Sequence, residues 1–127
     1  MSGFCRWLQE EGVSVEEVIR KSFLGKEEMY LKYTKRFQTD ENTKKLGEYL
    51  EGKNGGEAFL AAHTLKGIVD NFGWGPLVPS IYPLVEKLRV YSEFTGKIQV
   101  DDLEEQEEIF GLYQQLEQEL ERIKQRM

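Results

Sequence analysis

Hydrophobic side chains recur along this chain at helical spacing, whereas the period-two alternation typical of strands never persists beyond a few positions. Ser14 followed by Glu17 has the spacing of a capping box, in which the hydroxyl accepts from the backbone and the carboxylate reaches back. The pair predicts the start of an amphipathic helix that ends near Gly25. Its apolar positions are Val15, Val18, Ile19 and Phe23.

Two further helices are predicted in the first half of the chain. One runs over about residues 26–38 and carries side chains at helical spacing: Met29, Tyr30, Tyr33 and Phe37. The other covers about residues 40–51 and turns three side chains inward: Leu46, Tyr49 and Leu50. Gly47 lies inside this second helix and weakens the prediction, because glycine is a poor helix former.

The next helix is delimited by residues that favour helix ends. Asn54 is a suitable N-cap for a helix over about residues 56–72. The run Gly73-Trp74-Gly75-Pro76 ends that helix, because glycine adopts the backbone conformation common after helix C-termini and proline does not continue a helix. The chain's one histidine, His63, lies in this helix.

Two more apolar segments follow. Pro79 and Pro83 interrupt the first, which runs to about residue 94, so its helix either starts late or kinks near the prolines. The last helix is predicted to open at Asp101 and Asp102, whose carboxylates suit the positive end of a helix dipole. It carries a seam of side chains spaced alternately by four and three: Ile109, Tyr113, Leu116, Leu120, Ile123 and Met127.

These helices predict an all-α fold, an up-and-down four-helix bundle with additional N-terminal and C-terminal helices. A length of 127 residues suits a single domain over residues 1–127. We expect its core to span about residues 12–94, and residues 101–127 to form the additional C-terminal helix. The seam favours packing within a monomeric bundle, and a coiled-coil dimer through residues 101–127 is the alternative.

Charge and rare residues exclude several function classes. The net charge of -6 falls entirely on residues 101–127, which hold nine acidic and three basic side chains, so nothing suggests a basic face for nucleic acid. One cysteine excludes an internal disulfide, and one histidine excludes every site that needs two. With no apolar run long enough for a bilayer and no signal-peptide pattern, we expect a cytoplasmic protein without a membrane partner.

The helix around His63 shows two faces when projected at about 100° per residue. An apolar stripe lies within about 40° of the side opposite His63, with Val69 alongside, and it consists of Ala58, Ala61, Leu65, Ile68 and Phe72. This stripe is expected to face the core, so His63 projects outward. Lys66, Gly67 and Asp70 share the outward face, and Phe59 also falls near the histidine.

The outward face combines features suited to a phosphoryl group. The imidazole of His63 is a nucleophile near physiological pH, and Lys66 one turn on supplies a cation. Gly67 removes a side chain that would crowd the approach, although glycine in a helix costs about 1 kcal/mol relative to alanine. Phe59 and Leu60 are expected to flank the site as exposed apolar surface, which is typical of a docking partner rather than a small-molecule pocket.

The string Ala62-His63-Thr64-Leu65-Lys66-Gly67, with Gly73 ten residues after the histidine, strongly resembles the histidine-containing phosphotransfer (HPt) domain. The resemblance extends over about residues 12–91 and therefore covers most of the chain. Two features depart from the family pattern. Many members open the histidine helix with an acidic-aromatic pair, which is replaced here by Gly55-Gly56, and many carry small residues after the motif glycine, where this chain has Ile68 and Val69.

The resemblance implies a phosphoryl carrier of a two-component phosphorelay. A phosphoaspartate of a response-regulator receiver domain would phosphorylate His63 on Nε2, and the group would then be passed on. Lys66 would help to hold the phosphoryl oxygens, and Gly67 would give access to the ring. The receiver would supply the aspartate and a bound Mg²⁺, so no cofactor or metal is expected in this chain, and a hybrid histidine kinase is a further partner. Receiver docking is expected at Phe59, Leu60, Thr64 and Asp70.

Other functions receive less support. The chain has no glycine-rich nucleotide loop and no P-loop lysine motif, so we expect no ATP-dependent kinase activity of its own. The main alternative is an HPt-like helical adaptor that binds a receiver or a helical partner without accepting phosphate. A single-histidine metal or haem site is weaker, because only Asp70 shares the face of His63 as a second ligand.

Overall fold

Residues 1–92 and 103–127 are described by the computed structural model of the chain, and their regular structure is entirely helical. The all-α prediction is therefore confirmed. The predicted opening at Asp101-Asp102 and the predicted end near residue 94 lie outside the described residues. The described helices are α1 Gly3–Glu10, α2 Val15–Ser22, α3 Glu27–Arg36, α4 Asn42–Glu51, α5 Gly55–Phe72, α6 Ile81–Ser92 and α7 Leu103–Lys124.

Helix α1 was not predicted from the sequence, although its signals are present. The Ser2 hydroxyl caps it by accepting a hydrogen bond from the Cys5 N–H at 3.1 Å. The helix then buries side chains three and four residues apart, namely Phe4, Cys5, Trp7 and Leu8. A serine followed by this spacing is an N-terminal helix signature in itself.

Helix α2 begins where the sequence predicts, but the expected capping box is wrong. The Ser14 side chain makes no capping hydrogen bond. The Glu17 carboxylate instead pairs with Lys21 at 2.7 Å, one turn further along the helix. The helix ends before Phe23, and Gly25 takes a positive φ of 73° in the turn that follows.

Helices α3 and α4 differ from the sequence expectation in their packing. The predicted helix over residues 26–38 ends at Arg36 and passes into a short 3-10 turn, Phe37–Thr39. Its Tyr33 is 39% exposed, while the neighbouring Thr34 is buried. In α4, close packing against α7 explains the glycine at position 47, because a Cβ there would lie 2.8 Å from Cζ of Tyr113. The Tyr113 hydroxyl also donates to the Thr43 carbonyl at 2.9 Å.

Helix α5 has the ends that the sequence predicts. The Asn54 side chain accepts a hydrogen bond from the Glu57 N–H at 3.2 Å and so caps the N-terminus. Gly73 follows the last turn with a left-handed φ of 75°. This glycine also allows α2 to approach, because a Cβ at residue 73 would lie 2.5 Å from Cγ2 of Val18.

Helix α6 starts late rather than kinking. It begins at Ile81, after Pro79, and Pro83 lies in its first turn. The first amides of a helix have no intrahelical acceptor, so proline is tolerated there without loss of a hydrogen bond. The Ser80 N–H donates to the Glu119 carboxylate at 3.2 Å, which ties the start of α6 to α7.

The helices pack so that α5 is covered on two sides. It contacts α4 and α6, and α7 contacts both α6 and α4. The seam of α7 is used within the chain, since it buries Ile109, Leu116, Leu120 and Ile123. None of the described helices has the length and apolar character required to cross a membrane.

A buried hydrogen-bond chain fixes the C-terminal end of α5. The Tyr30 hydroxyl donates to the Phe72 carbonyl at 2.9 Å, and Nε1 of Trp74 donates to the Tyr30 hydroxyl at 3.1 Å. Burial raises the pKa of Tyr30 well above its usual value. The phenol therefore remains a neutral donor that joins α3 to the carbonyl end of the central helix.

We expect Gly73→Ala to lower the free energy of unfolding by about 2 kcal/mol, measured by denaturant titration. A left-handed non-glycine residue costs roughly 1–2 kcal/mol, and overlap with Val18 adds to this cost. Gly111→Ala is the matched control, because Gly111 lies inside α7 with nothing within 4 Å of an added Cβ. Equal stability of Gly73→Ala and wild type would contradict the role assigned to this glycine.

Candidate functional site

The exposed part of α5 is a narrow strip along one side of the helix. Its other sides bury Ala58, Ala62, Leu65 and Val69 against the neighbouring helices. The strip carries the following exposed residues: Leu60, His63, Thr64, Gly67, Asp70 and Asn71. The structure thus brings together five of the seven residues proposed from the sequence, with Lys66 and Phe59 at the edge that faces α6.

His63 lies on the surface of the central helix. No group among residues 1–92 and 103–127 forms a hydrogen bond with its ring. Its nearest ring neighbour is Phe59, with centroids 5.7 Å apart and the planes tilted by 46°. A structural histidine in a core normally has its ring nitrogens paired, so this ring is instead accessible for chemistry.

The expectation that Phe59 is exposed is wrong. Its side chain is 9% exposed and belongs to the hydrophobic core. The helical projection placed the core opposite His63, but α6 covers the flank on which Phe59 lies. The buried strip is consequently rotated by about 50° toward α6 relative to the projection. For the same reason Ile68, expected in the core, is only half-buried.

Viewed along the axis of α5, Lys66 and Gly67 lie on opposite sides of His63. Lys66 is half-buried at the edge facing α6, and no carboxylate of the described residues forms an ion pair with it. An added Cβ at Gly67 would have nothing within 4 Å. Packing inside the chain therefore does not account for a glycine at this position, in contrast to Gly47 and Gly73.

The register between α5 and α6 identifies charged residues that sequence reasoning missed. The Tyr82 hydroxyl of α6 donates to Oδ1 of Asp70 on α5 at 2.6 Å. The two helices are consecutive and antiparallel. Lys66 lies one turn before Asp70 on α5, and Glu86 lies one turn after Tyr82 on α6, so Lys66 and Glu86 are level with each other. A further three residues along each helix brings His63 level with Arg89.

Contacts support this register. The Cζ atom of Arg89 lies 5.3 Å from the centre of the Phe59 ring, the same ring that contacts His63. Nε and Nη2 of Arg89 donate to the two carboxylate oxygens of Glu86 at 3.2 and 2.9 Å. The site is therefore built from two helices. Nothing in the sequence alone relates residue 89 to residue 63, because the relation depends on where α6 starts.

Two residues proposed for docking are engaged within the chain. The Thr64 hydroxyl donates to the Leu60 carbonyl at 3.0 Å, one turn back along the helix. Asp70 accepts the hydrogen bond from Tyr82, and Leu60 is left as the exposed apolar side chain, at 57%. Over the described residues, no three acidic, histidine or cysteine side chains are grouped closely enough to hold a metal ion.

An apolar groove of about 490 Å³ lies alongside the C-terminal part of this strip, between α3 and α5. Ile68 and Asn71 form its α5 wall, and Leu24 and Tyr33 are exposed on the opposite side. Arg36 and Asp40 supply the charged groups at its rim. The groove is separate from the charged pair on α6, which lies on the other flank of α5.

No protein-family model, curated protein or solved structure matches this chain.

Tyr82→Phe tests the link between the two helices through its pH dependence. Burial, together with the hydrogen bond and charge of Asp70, raises the pKa of Tyr82 from 10.0 to about 12. A raised folded-state pKa means that the stabilisation is complete below pH 10 and is lost as the pH rises toward 12. The difference in unfolding free energy between wild type and Tyr82→Phe should therefore be constant below pH 10 and shrink above it. A difference independent of pH across this range would contradict the interaction.

Proposed function

We propose that this chain is a histidine phosphotransfer protein of a two-component phosphorelay, which accepts a phosphoryl group on His63 from a receiver-domain phosphoaspartate and passes it on. The observation that carries the proposal is the exposed His63 ring, free of hydrogen bonds to the described residues, beside the open surface over Gly67. The chain would act as a cytoplasmic monomer without kinase activity of its own. A receiver domain and a hybrid histidine kinase are its proposed partners.

We further propose that α4, α5, α6 and α7 form an up-and-down four-helix bundle, with α1 to α3 as additional N-terminal elements. The contacts of α4 with α5, α5 with α6, α6 with α7 and α7 with α4 support this arrangement. In such a bundle, α5 is held on both flanks and presents only one strip to a partner. A rigid strip keeps the backbone that carries the acceptor ring in a constant position during transfer.

The transfer step needs a nucleophile from this chain and an activated phosphoryl group from the partner. The Nε2 lone pair of His63 attacks phosphorus, and the phosphorus–oxygen bond to the receiver aspartate breaks, so the carboxylate leaves with the electron pair. The positive charge gained by the ring is released as the Nδ1 proton. The receiver's aspartate and Mg²⁺ supply activation, and Lys66 balances charge on the phosphoryl oxygens from this side.

Arg89 adds a second cation on the flank of α5 that faces α6. Its side chain is held beside Phe59, and the helix register brings it level with His63. An arginine presents several donors in a planar fork that suits phosphoryl oxygens. Lys66 and Arg89 would therefore approach a phosphoryl group on His63 from the flank facing α6, while Gly67 leaves the opposite flank open for the receiver.

A second candidate function is an HPt-like adaptor that binds a receiver or a helical partner without accepting phosphate. The apolar groove between α3 and α5 supports it, since such a groove suits the apolar face of a helix. The two functions differ in one measurable respect. Only the phosphotransfer protein acquires label, and only its activity depends on the imidazole.

We expect wild type to take up acid-labile phosphate from phosphorylated receiver domains of the source organism and His63→Gln to take up none. Both proteins should remain unlabelled with ATP and Mg²⁺ alone. Binding of the receiver, measured by calorimetry, should survive in His63→Gln, because docking uses surface beyond the ring. Label on the glutamine variant would overturn the proposal, and receiver binding without label on wild type would favour the adaptor.

Gly67→Ala should separate function from stability. Alanine in place of an exposed mid-helix glycine should raise the unfolding free energy by about 0.5–1 kcal/mol. The added methyl group obstructs the approach to His63, so the rate of phosphoryl uptake should fall about tenfold or more. Gly111→Ala, also exposed and without neighbours, should gain stability and keep the wild-type rate. An unchanged rate in Gly67→Ala would refute the role of this glycine in access.

A further inference from the structure

Over residues 1–92 and 103–127, the acidic residue closest in register to the two cations is Glu86. It accepts two hydrogen bonds from Arg89, one to each carboxylate oxygen, at 3.2 and 2.9 Å. It is also level with Lys66 across the interface between α5 and α6. The hydrogen bonds from Arg89, and also the charges of Arg89 and Lys66, hold the pKa of Glu86 below its usual range. An ionised carboxylate therefore occupies Arg89, one of the two cations that a phosphoryl group on His63 would need.

The ion pair between Glu86 and Arg89 is exposed, so another anion can replace Glu86 on Arg89. Their side chains are 64% and 46% exposed, and they lie three residues apart on one helix. Exposed pairs of this kind contribute little to stability and are readily broken. Arg89 also stacks on the ring of Phe59, a contact that does not involve Glu86, so the guanidinium keeps a contact with α5 when its carboxylate partner changes.

We propose that Glu86 is the resident counter-ion of the His63 site and is displaced by the phosphoryl group. This inference rests on the proposed phosphotransfer function. Before transfer, Glu86 occupies Arg89 and offsets the charge of Lys66. After transfer, the phosphoryl oxygens take its place on Arg89, and Glu86 is left as a negative charge beside them. Glu86 thereby disfavours phosphorylated His63 and keeps the group available for onward transfer.

Charge at the site gives the direction of the effect. A phosphoryl group brings roughly two negative charges near neutral pH. The two positive charges of Lys66 and Arg89 balance those negative charges. The carboxylate of Glu86 then leaves the site with one negative charge in excess. Among residues 1–92 and 103–127, Asp70 is the other acidic side chain on this flank, but it is one turn further from His63 and already accepts the Tyr82 hydroxyl at 2.6 Å. Removal of the Glu86 charge should therefore stabilise the phosphorylated state.

The first test needs no receiver. Phosphoramidate transfers its phosphoryl group to exposed imidazoles: the phosphorus–nitrogen bond of the reagent breaks, ammonia leaves, and a phosphorus–nitrogen bond to the ring forms. Because the chain has one histidine, the phosphohistidine signal in ³¹P NMR reports on His63 alone. We expect Glu86→Gln to lower the pKa of the phosphoryl group, since a nearby carboxylate opposes its second ionisation. Arg89→Gln should raise that pKa.

The matched control is Glu17→Gln. Glu17 forms an exposed ion pair with Lys21 at 2.7 Å, so its replacement changes net charge and removes a surface pair in the same way. This variant should leave the phosphoryl pKa of His63 unchanged. If Glu86→Gln behaves like Glu17→Gln, the counter-ion role is refuted. If phosphoramidate leaves His63 unlabelled, the receiver equilibrium described next decides both proposals.

The second test measures the equilibrium between a phosphorylated receiver and this chain. Glu86→Gln should shift the phosphoryl group toward His63 by about two- to fivefold, as expected for loss of one exposed charge interaction. In the Arg89→Gln background, the same substitution should have a smaller effect. Wild type that takes no phosphoryl group from any receiver overturns the proposed function, whatever the phosphoramidate result. A wild type that is phosphorylated, with an unshifted Glu86→Gln equilibrium, overturns only the counter-ion role.

Discussion

The rotational setting of α5 about its own axis is the constraint on which the rest of the site depends. Helices α4 and α6 cover two of its flanks, and α2 contacts it as well. The buried chain from Trp74 through Tyr30 to the Phe72 carbonyl holds its far end, where Gly73 stops the helix. Because these contacts allow one strip to remain exposed, they decide that His63 and Gly67 face outward while Phe59 turns in. A different rotation would bury the ring and expose the core.

The second constraint is the register between α5 and α6. The hydrogen bond from Tyr82 to Asp70 defines this register. In the same register, Glu86 is level with Lys66, and Arg89 is level with His63. A histidine that would be isolated on one helix consequently has a set of charges supplied by another. Exposed pairs such as Glu86 with Arg89 matter little for folding. This pair lies on the flank of α5 that carries Phe59, where it is exposed rather than locked into the core.

The sequence predicted helix ends correctly where a single residue sets the backbone conformation. Asn54 and Gly73 were predicted as the ends of α5, because capping and left-handed backbone are properties of single side chains. Ser14 was correctly located before α2, but its capping box was not formed, since Glu17 has a competing partner in Lys21. Projection of a single helix identified the outward side of His63 and misjudged Phe59. A projection contains no information on how far a neighbouring helix covers each flank.

By itself, the sequence determined the all-α fold, the limits of α5, the late start or kink at Pro79 and Pro83, and the outward position of His63 and Gly67. These follow from periodicity and from backbone preferences, which act over one or two turns. Only the tertiary structure decided that α6 starts late, that Phe59 belongs to the core, and that Arg89, paired with Glu86, stacks on the Phe59 ring. Those features depend on the distance and register between helices, which are set by packing of side chains far apart in the chain.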